Sequence, residues 1–489
     1  MTTQEQPTAA GAEPDRAFAP PDGAPHEPLP TLAPPGPGPT DPPPPPLQRT
    51  RRRTVLVVLV VLLLVAGLVT TGVVVAGRDD PAGGGVDGAA GAGAPSGRDS
   101  AVRAVLDRRA QAVLDRDREA FLADIAPGDP EFVAQQEQLF DNLAQVDFES
   151  WHYELVGDDY NRPDLAQTYD RPYHLPAVLL HYAIKGFDRA PVARPQVLTF
   201  LKTGKRWLIA SDSDADRQLP ETGHADPWDR RAIVTGKGRS VLVLADAADK
   251  ARLDRLVRVA DQAVRRVADF WSDGWRRRVV VVAVRDQHLV ETYFRTPDRS
   301  SEDVAAIAVP AYDTVPGWSK DGGEDEPLVA RSRVILNPRY FDPRDRDNVD
   351  LLAHEVTHVA TQQRTLPGAP RWLAEGAAEY TAYRYLEPFS IRLPRSLQRQ
   401  VDAGSVDLPT YDFYQRDVAA HYIAGFLACA YIADEYGDGA LRRVYRLLGR
   451  NVREALVPQA QDRVFQQVLG VSTDELRRGL ADYAAGVSR

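Results

Sequence analysis

The stretch that decides the fold reads H-E-V-T-H at residues 354–358 and is followed by W-L-A-E-G at residues 372–376. On a helix, His354 and His358 would lie one turn apart and about 40° apart around the axis, so both imidazoles could reach one metal ion. Glu355 would flank that face, where its carboxylate could contact a metal-bound water without being a ligand. This spacing predicts the ligands and the general base of a zinc peptidase.

The residues around this motif predict the helix that the motif needs. The chain has 9 His among 489 residues, so the pattern H-E-x-x-H arises by chance in roughly one chain per hundred of this composition. Within residues 349–360 the apolar side chains recur at helical spacing, which predicts a half-buried helix. Asp347 or Asn348 can cap its first turn. A buried polar helix face that holds no metal is the alternative interpretation.

A catalytic zinc ion takes three protein ligands and keeps one position open. The metzincin scheme needs a glycine at position 361 and a histidine at position 364, but the chain has Thr361 and Arg364 there. A second scheme takes a glutamate from a second helix, and the segment after Pro370 supplies Glu375 and, one turn later, Glu379. Either carboxylate could be the third ligand, and the other would then orient the metal ligands through hydrogen bonds.

This arrangement is H-E-V-T-H, then sixteen residues, then the Glu375 of W-L-A-E-G-A-A-E-Y, and it resembles the gluzincin metallopeptidases, specifically the bacterial peptidase-MA-like domains. The resemblance covers about residue 227 to the C-terminus. It implies a Zn²⁺ ion held by His354, His358 and Glu375, with Glu355 as general base. The spacer is shorter than that of gluzincin aminopeptidases, and no exopeptidase motif of the G-x-M-E-N kind precedes the helix, which leaves endopeptidase activity open.

Two flanking segments extend the resemblance. Residues 420–426 are similar to the tyrosine-containing helix that follows the zinc site in these domains, and Tyr422 matches its tyrosine. The match implies a phenol that hydrogen-bonds the oxyanion of the tetrahedral intermediate; His421 could do the same work, and packing is the alternative role for Tyr422. Upstream, residues 331–336 are similar to the edge strand on which gluzincins lay an extended peptide.

A second signal lies near the N-terminus. Residues 54–77 form a run of 24 uncharged residues, long enough at about 1.5 Å per residue to cross a hydrocarbon core of about 30 Å. Four arginines within residues 49–53 precede it, which predicts a cytoplasmic N-terminus and extracellular C-terminal domains. The length of the run and the lack of a clean A-x-A site favour a signal anchor over a cleaved signal peptide. We therefore expect a single transmembrane helix in the cell membrane.

The segments on either side of this run are low in complexity. Residues 1–53 contain a proline-rich stretch that ends in five consecutive prolines, which predicts a disordered cytoplasmic tail. Such a tail could bind a partner that recognises polyproline, although most tails of this kind are simply solvated. Residues 78–100 are rich in Gly, Ala, Pro and Ser and predict a flexible linker.

Residues 101–216 have the composition of a globular domain. Two helical segments come first, followed by strand-like runs at residues 151–156, 178–184, 197–202 and 207–211. Helices followed by a meandering antiparallel sheet predict an α+β fold, and the segment resembles the cone-shaped NTF2-like domains. No clustered catalytic residues are visible, so a spacer or a peptide-binding accessory domain is favoured over a second enzyme.

Residues 227–489 carry the predicted peptidase domain. Strands at residues 240–244 and 278–284 flank a long amphipathic helix at residues 248–271, and residues 300–326 predict a loop near the cleft. Further helices are expected beyond the zinc motif at residues 418–436, 439–448 and 473–485. The expected domain is a mixed sheet followed by a mostly helical half, with the zinc ion between them.

Bulk properties restrict the function. A net charge of −10 gives no reason to expect nucleic acid as a partner, and a single cysteine, Cys429, cannot form an internal disulfide. Together these features predict an α+β, membrane-anchored, extracytoplasmic zinc metallopeptidase that acts on a peptide or protein substrate. The alternatives are a catalytically inactive zinc-binding scaffold and a cell-surface adaptor.

Overall fold

The computed structural model describes residues 97–160, 162–215, 226–294, 304–315, 328–337, 347–365, 369–385, 391–410, 413–414, 416–449 and 457–488. All of them lie within one compact unit of the chain, Val55–Arg489. The predicted tail at residues 1–53 and the predicted membrane helix at residues 54–77 fall outside the described residues.

The expected membrane anchor is corrected by the structure. Within the described ranges, no helix combines the length and the apolar character needed to cross a membrane. The prediction of a single-pass protein with a cytoplasmic N-terminus and extracellular domains is therefore not supported and is withdrawn. The predicted linker at residues 78–100 is also too long, because the first helix, α1 (Gly97–Asp115), already begins at Gly97 with Asp99 in its first turn.

Short helices follow α1, namely α2 (Arg118–Leu122) and α3 (Pro130–Leu143). Asp129 starts α3, because its carboxylate accepts hydrogen bonds from the peptide N–H groups of Glu131 and Phe132 at 2.9 and 3.2 Å. The next elements are β1 (Phe148–Asp159), α4 (Leu165–Thr168), β2 (Tyr173–His174), β3 (Pro176–Ile184), β4 (Val192–Val197), β5 (Thr199–Thr203) and β6 (Arg206–Ser211). They form two antiparallel three-stranded sheets, in the orders β1-β3-β4 and β2-β5-β6.

A five-stranded sheet forms the centre of the remaining chain. Its strands are β7 (Ile233–Lys237), β8 (Val241–Asp246), β9 (Val279–Ala283), β10 (Ala306–Tyr312) and β11 (Val329–Leu336), in the order β10-β11-β9-β8-β7. Helix α5 (Leu253–Phe270) connects β8 to β9, which pair in parallel, and β9 also pairs in parallel with β11. The expected α+β class is therefore wrong, because parallel strands joined by a crossover helix make the fold mixed α/β.

The edge of this sheet differs from the prediction in two ways. Residues 300–326 were expected to form a loop, yet Ala306–Tyr312 within them is strand β10. The strand expected at the edge, residues 331–336, is β11 and lies between β10 and β9. Pro310 obscures the strand signal of β10, and a proline is tolerated there because an edge strand leaves one side unpaired.

Helices make up the rest of the described chain. They are α6 (Gln287–Phe294), α7 (Asp347–Thr361), α8 (Arg371–Tyr383), α9 (Arg395–Asp402), α10 (Val418–Tyr436), α11 (Asp438–Leu448), α12 (Val457–Leu469) and α13 (Thr473–Val487). Helix α7 packs between α5 and α8, and α8 packs against α10. Two glycines allow α8 and α10 to touch through their backbones: a Cβ atom on Gly376 would lie 2.2 Å from the carbonyl oxygen of Gly425.

Apolar cores cover the five-stranded sheet on both faces. Alternate residues of β8 point in opposite directions, so Val241 and Val243 join the core of the helical half. Leu242 and Leu244 join a different core, which contains aromatic residues of the segment that precedes the sheet, such as Trp151 of β1. The two segments that the sequence predicts as separate domains thus share a core, while their exact boundaries remain predictions.

Candidate metal site

Helices α7 and α8 pack against each other and carry four of the predicted site residues. His354, Glu355 and His358 project from α7, and Glu375 projects from α8. All four side chains are buried, and Glu355 and Glu375 have no exposed surface (0%). Helix packing thus brings a charged cluster into the interior, where each polar atom needs a partner.

Three atoms of this cluster converge on one point. His354 Nε2 and His358 Nε2 are 3.1 Å apart, and Glu375 Oε2 lies 3.3 Å from the first and 3.6 Å from the second. An ion at the centre of this triangle would lie about 2 Å from each atom, which matches the usual Zn–N and Zn–O distances. The three residues are a group that could hold a metal ion.

Two further side chains orient the members of this triangle. Glu379 Oε1 lies 3.2 Å from His354 Nδ1, so Glu379 contacts the ring from the side opposite the triangle. The Tyr414 hydroxyl donates a hydrogen bond of 2.5 Å to Glu375 Oε1, which leaves Oε2 to face the two histidines. Carboxylate and hydroxyl partners of this kind fix the direction of metal ligands. The structure therefore places Glu375, rather than Glu379, with the two Nε2 atoms.

Burial and mutual contacts set the protonation states of the three residues in this triangle. Burial opposes protonation of His354, but hydrogen bonds to Glu375 and Glu379 outweigh it and raise the pKa of His354 well above its usual range. Burial lowers the pKa of His358. Burial favours the neutral form of Glu375, but its interactions with His358 and His354 hold the pKa of that carboxyl well below its usual range. Glu375 is thus ionised and His358 neutral at pH 7, as metal binding requires, whereas His354 would have to release a proton when a metal ion binds.

Glu355 lacks hydrogen bonds of the kind that hold Glu375. The backbone N–H of Ala308 on β10 faces its carboxylate, but neither oxygen makes a well-formed hydrogen bond among the described residues. Burial raises the pKa of Glu355 to about 8, although the charge of His354 and the facing peptide N–H of Ala308 on β10 both lower it. A buried acid without a partner reduces stability, so the fold alone gives no reason for it. A cation beside His354 and His358 would favour the ionised form, so the residues present fit a bound metal ion.

The two residues predicted to stabilise an oxyanion lie on α10 with different surroundings. The ring of Tyr422 is buried, 6.4 Å from the ring of His354 and 5.0 Å from that of Phe413. His421 is half-buried, and its Nδ1 lies 2.8 Å from the Phe413 carbonyl oxygen, which it contacts as a donor. Tyr422 is thus next to the metal-ligand group, whereas His421 secures the backbone beside Tyr414. Their catalytic roles remain predictions.

Comparison with known proteins gives one partial match. The model of a family described as the eCIS core domain matches residues 329–366, which span β11 and α7. This match indicates a peptidase-like domain of the MA-like kind and includes His354, Glu355 and His358, but it ends before Glu375. No curated protein matches the chain. The gluzincin assignment is finer than this match, and nothing in the comparisons supports an NTF2-like domain.

Sequence reasoning did not find Tyr414 or Ala308. Tyr414 follows Glu375 by 39 positions and reaches it only because the chain returns from α8 to the start of α10. Ala308 faces Glu355 through its backbone N–H, and a motif made of side chains cannot reveal such a contact. The sequence does contain a signal for the strand that carries Ala308, namely the short apolar run of β10, which can be recognised as a buried strand although it contains a proline.

Proposed function

We propose that this protein is a zinc metallopeptidase that hydrolyses peptide bonds, with His354, His358 and Glu375 as zinc ligands and Glu355 as general base. The convergence of two imidazole nitrogens and one carboxylate oxygen on one point carries the proposal. Two histidines and one glutamate are a ligand set typical of catalytic zinc, which keeps a further position open.

The unpartnered carboxylate of Glu355 favours a catalytic over a purely structural site. A structural metal site is closed by its ligands and has no use for an additional buried acid. Glu355 is adjacent in sequence to His354 and has no hydrogen-bond partner among the described residues. A free carboxylate beside the ligands is what a general base requires, since it must accept a proton and then release it.

The chain's own residues would divide the work of hydrolysis. Bound zinc would polarise the scissile carbonyl and lower the pKa of an attacking water. Glu355 Oε1 or Oε2 would accept the proton of that water and deliver it to the leaving amine. The phenol of Tyr422 would stabilise negative charge on the carbonyl oxygen, with His421 as the alternative donor. The outer edge of β10, which pairs only with β11 among the described strands, would hold an extended substrate in place of β11.

The test compares Glu355→Gln with the matched surface change Glu149→Gln. Glu149 is exposed on β1, so its substitution should alter neither metal content nor cleavage. Glu355→Gln should keep about one zinc per chain by metal analysis and reduce cleavage of a mixed peptide library by about 10³-fold or more. Full activity of Glu355→Gln would refute the mechanism. Zinc binding without any cleavage by the unaltered protein would instead favour the inactive scaffold.

A further inference from the structure

A cavity of about 180 Å³ lies beside β10 on the face of the sheet opposite the metal site. Arg194 of β4 and Arg331 and Arg333 of β11 line it, together with apolar atoms of Val309 and Ile335. The side chains of β11 point alternately to the two faces of the sheet, and this shows on which face the cavity lies. Ile335 belongs to the core shared with the preceding segment, while its neighbours Val334 and Leu336 belong to the core of the helical half.

The cavity wall carries more positive than negative charge among the described residues. Asp226 Oδ1 lies 3.3 Å from Nη2 of both Arg194 and Arg331, so two guanidinium groups share one carboxylate. Arg333 pairs with Asp188, whose Oδ2 accepts a hydrogen bond of 2.7 Å. Three cations, of which Arg331 and Arg333 are buried and Arg194 is half-buried, therefore face two buried anions. Burying a surplus charge is costly unless another anion balances it.

Two of the arginines also have buried hydrogen-bond donors that no described residue satisfies. The Nε atoms of Arg194 and Arg331 are buried and have no hydrogen-bond partner among the described residues. One additional carboxylate would neutralise the cluster, and a guanidinium group matches its two oxygens.

The position of the cavity indicates where this carboxylate would come from. Among the described strands, β10 pairs only with β11, so its outer edge is available for an added strand. Successive side chains of an added strand point to opposite faces of the sheet. If one residue of a bound peptide faces the metal site, its neighbour points towards the face that carries the cavity, where Val309 of β10 forms part of the wall.

We propose that this cavity, lined by Arg194, Arg331 and Arg333, binds the carboxylate of an aspartate or glutamate in a peptide that extends along β10. The inference rests on the proposed peptidase function and specifies its substrate class. The surplus of one positive charge matches a single carboxylate. A neutral side chain of the same shape would leave the cluster unbalanced and would therefore bind less tightly.

Binding tests the proposal without requiring cleavage. Two fluorescein-labelled peptide pools would carry either glutamate or glutamine at one fixed position, with identical mixed residues on both sides. Fluorescence anisotropy with the zinc-loaded Glu355→Gln protein should show about ten- to hundredfold tighter binding of the glutamate pool, as expected for a charge-assisted hydrogen bond. Equal affinities, or no measurable binding of either pool, would overturn the proposal.

A variant can remove the surplus charge without leaving a carboxylate unpaired. In Arg194→Met, Asp226 keeps Arg331 and the hydrogen bond of 2.6 Å from the Tyr182 hydroxyl. This variant should bind the glutamate pool and the glutamine pool with equal affinity. The control Arg443→Met removes an exposed arginine on α11 and should keep the preference. A retained preference in Arg194→Met would contradict the assignment of the cavity.

Failure of the proposed function can be distinguished from failure of this inference. If the unaltered protein cleaves no peptide while the glutamate pool still binds more tightly, the peptidase proposal fails and the cavity remains a carboxylate site. If the protein cleaves both pools equally and binds them equally, the peptidase proposal stands and the specificity inference is wrong.

Discussion

Helices α8 and α10 approach each other closely at Gly376, next to the ligand residue Glu375, and the substitution Gly376→Ala tests the importance of this contact. The added Cβ atom would lie 2.2 Å from the carbonyl oxygen and 2.4 Å from the carbonyl carbon of Gly425. Ordinary contacts begin near 3.4 Å, so α8 and α10 would have to separate by about 1 Å. Overpacking of this kind costs about 1–3 kcal/mol, because backbone atoms cannot move aside as a flexible side chain could.

The same displacement should reach the metal site, because Glu375 precedes Gly376 and supplies one corner of the triangle. Urea denaturation of Gly376→Ala should show a loss of about 1–3 kcal/mol in the free energy of unfolding. Competition with a chelator should show zinc binding weakened by about tenfold or more, since the ligand would be misplaced. Far-ultraviolet circular dichroism would confirm that the helices remain.

A matched control is Gly486→Ala, at a helical glycine of α13. A Cβ atom at Gly486 would meet nothing within 4 Å, so this change should leave stability unchanged or raise it by up to about 1 kcal/mol. If Gly376→Ala unfolded at the same urea concentration as the unaltered protein and bound zinc equally well, the close approach of α8 and α10 would be refuted.

Three further predictions concern separate residues. Tyr414→Phe should weaken zinc binding about tenfold while leaving the melting temperature of the metal-free protein nearly unchanged, as chelator competition would show; unchanged affinity would argue against an orienting role. Asp246→Asn should cost about 1 kcal/mol in urea at pH 7, and this cost should decrease as the pH falls below about 4. Burial raises the pKa of Asp246, but its bonds with Arg231 and the N–H of Ala248 outweigh this and lower it. Its contribution is thus present above the unfolded pKa of about 4 and is lost as pH falls through the folded value. Cys429 should resist thiol reagents until the protein unfolds, because burial raises the pKa of its thiol strongly; rapid labelling of the native protein would contradict its burial.

The parts of the structure with a local sequence signal were predictable. The prediction of a helix at residues 418–436 is confirmed at the same bounds as α10, since this stretch is apolar and ends at Gly437. The expected strands at residues 240–244 and 278–284 correspond to β8 and β9, whose valine-rich runs are typical of strands buried on both faces. The metal-ligand group was predictable because two of its residues are four apart on one helix.

The parts that depend on distant contacts were not predictable. Periodicity does not show which strand lies at a sheet edge, so β11 was expected where β10 lies. The contact of Tyr414 with Glu375 and the sharing of Asp226 by two arginines arise only when the chain returns to the same place. The α+β class failed for the same reason, because the parallel pairing of β8 with β9 follows from the path of the connecting helix.

The coverage of the central sheet on both faces has a practical consequence for protein production. A shortened protein that starts at residue 227 would retain every proposed zinc ligand but would lose Trp151 and most of the other aromatic residues that cover Leu242, Leu244 and Val280. The sheet face that these residues cover would then expose a large apolar surface to water, and proteins with such a surface tend to aggregate during expression. If this shortened protein precipitated without activity, the cause would be the exposed sheet face, and the result would not test whether the full-length protein is an enzyme.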